Sequence, residues 1–403
     1  MSARPRYFVD AGAPSSPPAA GGVYLDHNAT TPLDPRVRAA MIGWLELGFG
    51  NPSSIHGFGQ RARGVLEDAR ERVAALLGAA PVEVVFTASG TEANNAVLAT
   101  FGRRAPGGHL VTTALEHPSV TRAAARLTVD CGFQVTEVAP DPRGVVSVEA
   151  VAAALRRDTA LVAVMLANNE LGTIQPVAGV AAVCRERGIP VLCDAVQAAG
   201  KIPVRVAELD VDYLTVGAHK LHGPLGAAAL WVRPGAPLDP LLVGGSQERR
   251  RRASTENLLA LLGFGLACEL AGTELESRAR HLSALRDELE RGLAGIPAVT
   301  VRGAGAARLP NTTSATFHGL DASTLLMRLD LAGFAVSTGA ACASGTVEPS
   351  RTLLSLGLAR ADALATLRVS FGITNTRQEV AAFLPVLAAA AVALRANAAG
   401  AGR

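Results

Sequence analysis

Ala160-Leu161-Val162-Ala163-Val164-Met165, Pro190-Val191-Leu192-Cys193-Asp194 and Val211-Asp212-Tyr213-Leu214-Thr215-Val216 are three short runs, apolar almost throughout and rich in β-branched residues. A short run with no polar alternation reads as a strand buried on both faces. Two more, Val82-Glu83-Val84-Val85-Phe86-Thr87 and His109-Leu110-Val111-Thr112-Thr113, stand upstream. Stretches such as residues 60–77 carry apolar residues at every third or fourth position, the period of a helix with one buried face. This alternation, sustained over residues 60–270, predicts βαβ units and an α/β fold: a large domain whose mostly parallel sheet is covered by helices.

In open parallel sheets, ligands bind beyond the carboxyl ends of the strands. The polar residues of this chain cluster just there. Ser89-Gly90-Thr91-Glu92 follows one strand, Glu116-His117 another, Asn168-Asn169-Glu170 a third, Asp194 ends a fourth, and His219-Lys220 follows a fifth. The strand ends are therefore expected to converge on one site. Residues 1–22, rich in Pro, Ala, Gly and Ser, read as a disordered tail. Residues 23–275 form the expected large domain, with their first segment joining a smaller α+β domain of residues 276–403. A charged helix over 274–293 opens that smaller domain, and strands are expected at 314–317, 334–337 and 367–371.

Composition narrows the function classes. At 403 residues the chain buries a sizeable core, and its 38 basic against 35 acidic residues leave a net charge of +3, too small for a nucleic-acid footprint. Arg249-Arg250-Arg251-Arg252 is the one local basic run and reads as a solvated loop. The 5 cysteines lack CxxC or Cys/His metal spacing, which points to a reducing cytoplasm. With no uncharged apolar run of membrane-spanning length and no apolar leader, no membrane partner is expected.

Five features carry chemistry. Phe86-Thr87-Ala88-Ser89-Gly90-Thr91-Glu92 reads as strand, small-residue turn and helix start, either a phosphate cradle or an ordinary turn capped by Ser89 or Thr91. Lys220, in Gly217-Ala218-His219-Lys220, sits in a tight turn where desolvation lowers proton affinity and allows covalent capture of an aldehyde. Asp194 suits a pyridinium nitrogen but would serve equally as a helix cap, and His117 could stack on a ring or move protons. Cys342 lies in Ser337-Thr338-Gly339-Ala340-Ala341-Cys342-Ala343-Ser344-Gly345-Thr346, too small-sided to bury a thiol, so it reads as an exposed thiol on a mobile loop.

Together these residues resemble the cysteine desulfurases of the NifS/IscS type, in the class V aminotransferase group of fold type I pyridoxal-phosphate enzymes. The likeness runs from Tyr24-Leu25-Asp26-His27-Asn28-Ala29-Thr30-Thr31-Pro32 through Gly50-Asn51-Pro52-Ser53-Ser54-Ile55-His56, Asn168-Asn169-Glu170-Leu171-Gly172, Asp194-Ala195-Val196-Gln197, Gly244-Gly245-Ser246-Gln247-Glu248 and Thr255-Glu256-Asn257 to Arg368. It implies pyridoxal 5'-phosphate held by Lys220, with Asp194 on the pyridine nitrogen, Gln197 on the phenolic oxygen and His117 on the ring. It further implies Gly90, Thr91 and His219 at the phosphate, Thr255 reaching in from the other subunit of a homodimer, and Asn169 near ring and substrate. Arg368 would clamp the carboxylate of L-cysteine as a fork. Cys342 would take the sulfur as a persulfide, leaving alanine, and pass it to an acceptor such as an iron–sulfur scaffold or tRNA-thiolation protein. The likeness also admits Cys342 as a transient iron–sulfur ligand.

Three positions depart from that pattern. Gly217 stands where a phosphate-binding serine is usual, Leu225 replaces a basic residue, and Ser254 replaces a glycine before Thr255. The alternatives within the same fold are a selenocysteine lyase or a small-molecule aminotransferase, neither of which needs the Cys342 loop. A non-catalytic sulfur carrier would not need Lys220, Asp194, His117 and Arg368.

Overall fold

The structure is a computed structural model that describes residues 22–338, 342–343 and 346–401. The tail expected over residues 1–22 lies outside the described residues except for Gly22. The same holds for part of the Cys342 loop.

Strand β1 (Val23–Tyr24) is followed by the large sheet: β2 (Val84–Thr87), β3 (His109–Thr113), β4 (Gln134–Val138), β5 (Thr159–Met165), β6 (Val191–Asp194), β7 (Tyr213–Gly217) and β8 (Ala228–Val232). Their order across the sheet is β2-β8-β7-β6-β5-β3-β4. Pairing is parallel from β7 to β4, and β8 runs antiparallel to both β7 and β2. Strands β2, β3, β6, β7 and β8 are buried along their whole length. That is why they read as continuous apolar runs with no period of 2. The first expected strand is shorter than its sequence suggests, because Pro81–Glu83 forms a 3-10 turn before Val84.

Helices cover the sheet because their apolar residues fall on one side. Helix Gly57–Leu77 buries Ala62, Val65, Leu66, Ala69, Val73 and Leu77, and stops at Gly78 in the left-handed conformation at φ 66°. A glycine takes that conformation without the strain a Cβ would bring. Helix Leu275–Leu293 buries Leu282, Leu285, Leu289 and Leu293 in a second core with Leu25, Phe317, Phe371 and Phe383.

That second core lies under a 4-stranded sheet ordered β12-β15-β10-β9, from β9 (Val299–Arg302), β10 (Thr312–Phe317), β12 (Ser337–Thr338) and β15 (Thr366–Ser370). Strand β11 (Phe334–Ala335) leaves this sheet and pairs in parallel with β1. The single strand expected over 334–337 is thus two, parted at Val336, because the first half is claimed by the N-terminal segment. Strands β13 (Cys342–Ala343) and β14 (Thr346–Val347) pair as a short hairpin. The last helix, Arg377–Ala401, is the one described helix long and apolar enough to cross a membrane. Its Val380, Phe383, Leu387 and Ala391 are buried in the second core.

One ionic contact ties the outer helix layer to the sheet. Arg70 forks onto Glu248, with Nη1 and Nη2 each 2.7 Å from a carboxylate oxygen. Both side chains are buried, and Glu248 also accepts the Phe86 N–H at 2.9 Å. The arrangement holds Glu248, Arg249 and Arg250 at φ of 46°, 58° and 63°. Such left-handed residues persist only where neighbours impose them. The basic run is accordingly not a free solvated loop: Arg252 pairs with Glu92 at 2.8 Å and Arg251 donates to the Val82 carbonyl. Replacing Arg70 by methionine would strand the Glu248 carboxylate in the interior and is expected to cost about 3–5 kcal/mol, read as a lower midpoint in denaturant unfolding.

Candidate active site

The carboxyl ends of β2, β3, β5, β6 and β7 face a cavity of about 430 Å³ lined by Asn28, Gly90, Thr91, His117, Asn169, Asp194, Gln197, His219, Lys220 and Arg368 among others. Every described residue given a role at the site from the sequence lines it, except Thr255. Thr255 is exposed in a separate hollow with Ser254, Glu256 and Glu248. The Cys342 side chain lies outside the described residues.

The anion end is built from a helix start. Ser89 caps helix Gly90–Arg104, its Oγ accepting the Glu92 N–H at 3.1 Å, so the capping reading and the cradle reading hold together. The N–H groups of Gly90 and Thr91, in the first turn, have no partner within their own helix. They line the cavity with the positive end of the helix dipole behind them. Only glycine fits at the first position, since a Cβ on Gly90 would stand 2.8 Å from Val196 Cγ2.

At the floor, Asp194 Oδ2 accepts from Asn94 Nδ2 at 2.8 Å and Oδ1 from the Val196 N–H at 3.0 Å. Asn94 Nδ2 also reaches Ser119 Oγ at 2.9 Å, and Ser119 Oγ lies 2.9 Å from His117 Nδ1. Because Nδ1 also accepts the Ser119 N–H at 3.1 Å, a neutral His117 carries its proton on Nε2. Burial lowers the His117 proton affinity and favours that neutral ring. Glu116 stays outside the cavity lining. Its Oε1 accepts from the Met165 N–H and Thr113 Oγ1, both at 2.8 Å, fastening the ends of β3 and β5 together. Burial pushes its carboxyl up to about 8.

Lys220 donates from Nζ to the Asn28 carbonyl at 2.5 Å and the Ala29 carbonyl at 2.7 Å. Burial first, and the Arg368 charge second, lower it from its ordinary value to about 8. His219 is lowered by burial to about 4 and contacts Thr30 Oγ1 at 3.2 Å. Gln197 donates to the Asn28 carbonyl at 2.9 Å and accepts from Lys201 Nζ at 2.9 Å. Lys201 thereby sets which end of the Gln197 amide carries the donors. Arg368 spends Nη2 on Asp26 at 2.6 Å and Nη1 on the Asn169 carbonyl at 3.1 Å, while its buried Nε has no partner among the described residues. That orphaned donor edge is available to a substrate carboxylate.

Four residues of this network carry no role in the sequence reading: Asn28, Asn94, Ser119 and Lys201. Asn94 was detectable in principle, as a polar residue beside the buried Ala93, Val97 and Leu98 of helix Gly90–Arg104. The donor set suits pyridoxal 5'-phosphate: an anion cradle, a carboxylate at the floor, a ring-facing imidazole and a lysine of lowered proton affinity. Among the described residues no group of three His, Cys, Asp or Glu converges as a metal site.

The class-V aminotransferase profile matches residues 23–383, and the chain belongs to that family, whose members use pyridoxal phosphate. It is similar to the cysteine desulfurase IscS of Methanosarcina thermophila, at 40% identity over 367 residues covering 91% of each chain. Among solved structures it is similar to a NifS-like protein, with TM-score 0.86 and 37% identity over 91% of this chain and 98% of the other. SspA, solved in complex with cysteine, matches with TM-score 0.77 and 32% identity over 87% of this chain and 98% of its own. The fold is that of the fold type I pyridoxal-phosphate enzymes.

Two outcomes follow from the geometry. A free Lys220 amine titrating near 8 becomes uncharged as pH rises, so capture of pyridoxal phosphate by the apoprotein should quicken with a midpoint near 8. A midpoint near the ordinary lysine value of 10.5 would contradict this. At Gly217 a Cβ would meet Val196 Cγ1 at 3.5 Å and His219 Cδ2 at 3.8 Å, ordinary contacts on extended backbone. Gly217→Ser should therefore be tolerated and, by adding a charge-assisted hydroxyl donor worth about 1 kcal/mol, tighten the cofactor about fivefold in a fluorescence titration of the apoprotein.

Proposed function

We propose that the protein is a pyridoxal-phosphate-dependent cysteine desulfurase that takes sulfur from L-cysteine, releases L-alanine and carries the sulfur as a persulfide on Cys342. One observation carries this reading. Ser337 lies directly opposite Arg368 across the β12–β15 pair, so the chain that leads to Cys342 departs from beside the proposed substrate clamp. Arg368 in turn shares the cavity with Lys220, Asp194 and His117.

The residues divide the work. Gly90, Thr91 and His219 would hold the phosphate, with Asp194 at the pyridine nitrogen, Gln197 at the phenolic oxygen and His117 at the ring. The cofactor, when bound, supplies an electron sink that acidifies the α-proton and makes the substrate sulfur electrophilic. Arg368 and Asn169 orient the amino acid, and Lys220 Nζ, neutral over much of the range above about 8, moves the α-proton. The Cys342 thiolate attacks the substrate sulfur: an S–S bond forms, the substrate's C–S bond breaks, and the released electron pair ends, with a proton, as the methyl group of alanine.

Three of the other four cysteines suit this chemistry poorly. Cys184, Cys193 and Cys268 are buried, and burial pushes each thiol upward, Cys184 to about 11. A thiol held protonated is a weak nucleophile. SspA, found with cysteine, supports the choice of substrate.

We infer further that the enzyme acts as a homodimer. Exposed Phe49, Ile55 and Phe58, with Phe49 and Phe58 stacked at 4.8 Å, are apolar groups suited to a partner subunit. Thr255, exposed and outside its own chain's cavity, is suited to reach the other subunit's phosphate site. Its setting is a reducing cytoplasm, and the persulfide passes to a sulfur-acceptor protein of iron–sulfur assembly or tRNA thiolation.

The test uses two variants of the holoenzyme. Lys220→Ala should lose the near-ultraviolet-to-visible absorbance band of the covalently held cofactor. Cys342→Ser should keep the band and lose sulfide release from L-cysteine. Sulfide production at the wild-type rate by Cys342→Ser would overturn the persulfide role.

A further inference from the structure

The turn Asn168-Asn169-Glu170 at the end of β5 does more than line the cavity. Asn168 is fully buried and accepts the N–H groups of Glu170 and Leu171, both at 2.9 Å, on its Oδ1. Its Nδ2 donates to the Leu115 carbonyl at 3.1 Å, so the turn is locked to the end of β3. Next along, the Asn169 carbonyl accepts Arg368 Nη1. The third residue, Glu170, faces a different partner, accepting Ser350 Oγ at 2.5 Å on Oε2.

Ser350 has little freedom in this contact. It is buried, and its Oγ already accepts the Leu353 N–H at 3.2 Å as the cap of helix Arg351–Ser355. Its one hydrogen is therefore left for Glu170. Burial raises the proton affinity of the Glu170 carboxyl, and the Ser350 hydroxyl acts against that shift. A hydroxyl whose lone pair is already taken by a backbone N–H has its hydrogen aimed in one direction, which makes the contact to Glu170 a directional anchor.

Residues 338–349, including Cys342, thus run between two fixed roots. One is Ser337, opposite Arg368 on β15. The other is Ser350, held by the carboxylate next to the residue that holds Arg368. We propose that Glu170 is a positioning residue for the nucleophile, its bond to Ser350 fixing one root of the Cys342 segment against the same turn that fixes the substrate clamp. The proposal rests on Cys342 being the nucleophile. Misplacing a reacting group costs rate in the step it performs and leaves earlier steps alone.

The experiment follows the holoenzyme after mixing with L-cysteine. The absorbance change of the cofactor reports substrate arrival, and mass spectrometry of quenched samples reports persulfide on Cys342. Glu170→Ala should slow persulfide formation about tenfold, with the absorbance step changed less than about twofold and kcat lowered at unchanged KM. Glu170→Gln, which keeps one acceptor for Ser350, should recover most of the rate, and Ser350→Ala should repeat the loss. Persulfide formation at the wild-type rate in Glu170→Ala, or equal slowing of both steps, would overturn the proposal. Cys342→Ser, run alongside, separates the two readings: sulfide release without Cys342 sinks the nucleophile assignment whatever Glu170 does.

Discussion

A single buried asparagine joins the parts of this molecule that must agree for the site to exist. Asn28 donates its N–H to Ser370 Oγ at 2.9 Å and its Nδ2 to Thr312 Oγ1 at 2.8 Å, both on the smaller sheet. The same Nδ2 reaches the Asn169 carbonyl at 3.1 Å, in the turn beyond the end of β5 of the larger one. Its carbonyl accepts from Gln197 and Lys220, and its Oδ1 from Lys201 and Asn311. A buried polar group is costly unless all its hydrogen bonds are made, and these partners come from five separate stretches of chain. The N-terminal segment therefore acts as a wedge, and neither sheet alone completes the cavity.

The electrostatics follow from that closure. Lys201, Lys220 and Arg368 crowd one region, where Asp26 pairs directly with Arg368 and Asp194 lies at the cavity floor. Burial and mutual repulsion lower both lysines, and Lys201, with only amide oxygens as partners, is held well below its ordinary value. A cavity of this kind favours ligands that bring negative charge, a phosphate at the helix start and a carboxylate at Arg368. It also readies Lys220 for proton transfer nearer neutral pH than a solvated lysine allows.

Much of this was legible in local sequence. Continuous apolar runs identified β5, β6 and β7, because a strand covered on both faces has no polar alternation to preserve. Strand β8 escaped notice, since Ala228-Ala229-Leu230 lacks β-branched residues and owes its conformation to being sandwiched between β2 and β7. The break at Val336 was likewise invisible, as only the distant β1 draws Phe334–Ala335 out of the sheet. Lys220, Asp194 and His117 stood out because each follows a strand. Asn94, Ser119 and Lys201 did not, because their importance lies in whom they touch.

Sequence by itself determined the class of the fold, the strand ends that carry the chemistry and the identity of the groups there, since periodicity and residue type are local properties. The closure of those groups into one cavity was decided only in three dimensions. The tautomer of His117 depends on Ser119, the orientation of Gln197 on Lys201, and the proton affinity of Lys220 on burial beside Arg368. Hydrogen bonding and desolvation act through space, between residues as far apart in the chain as Asp26 and Arg368.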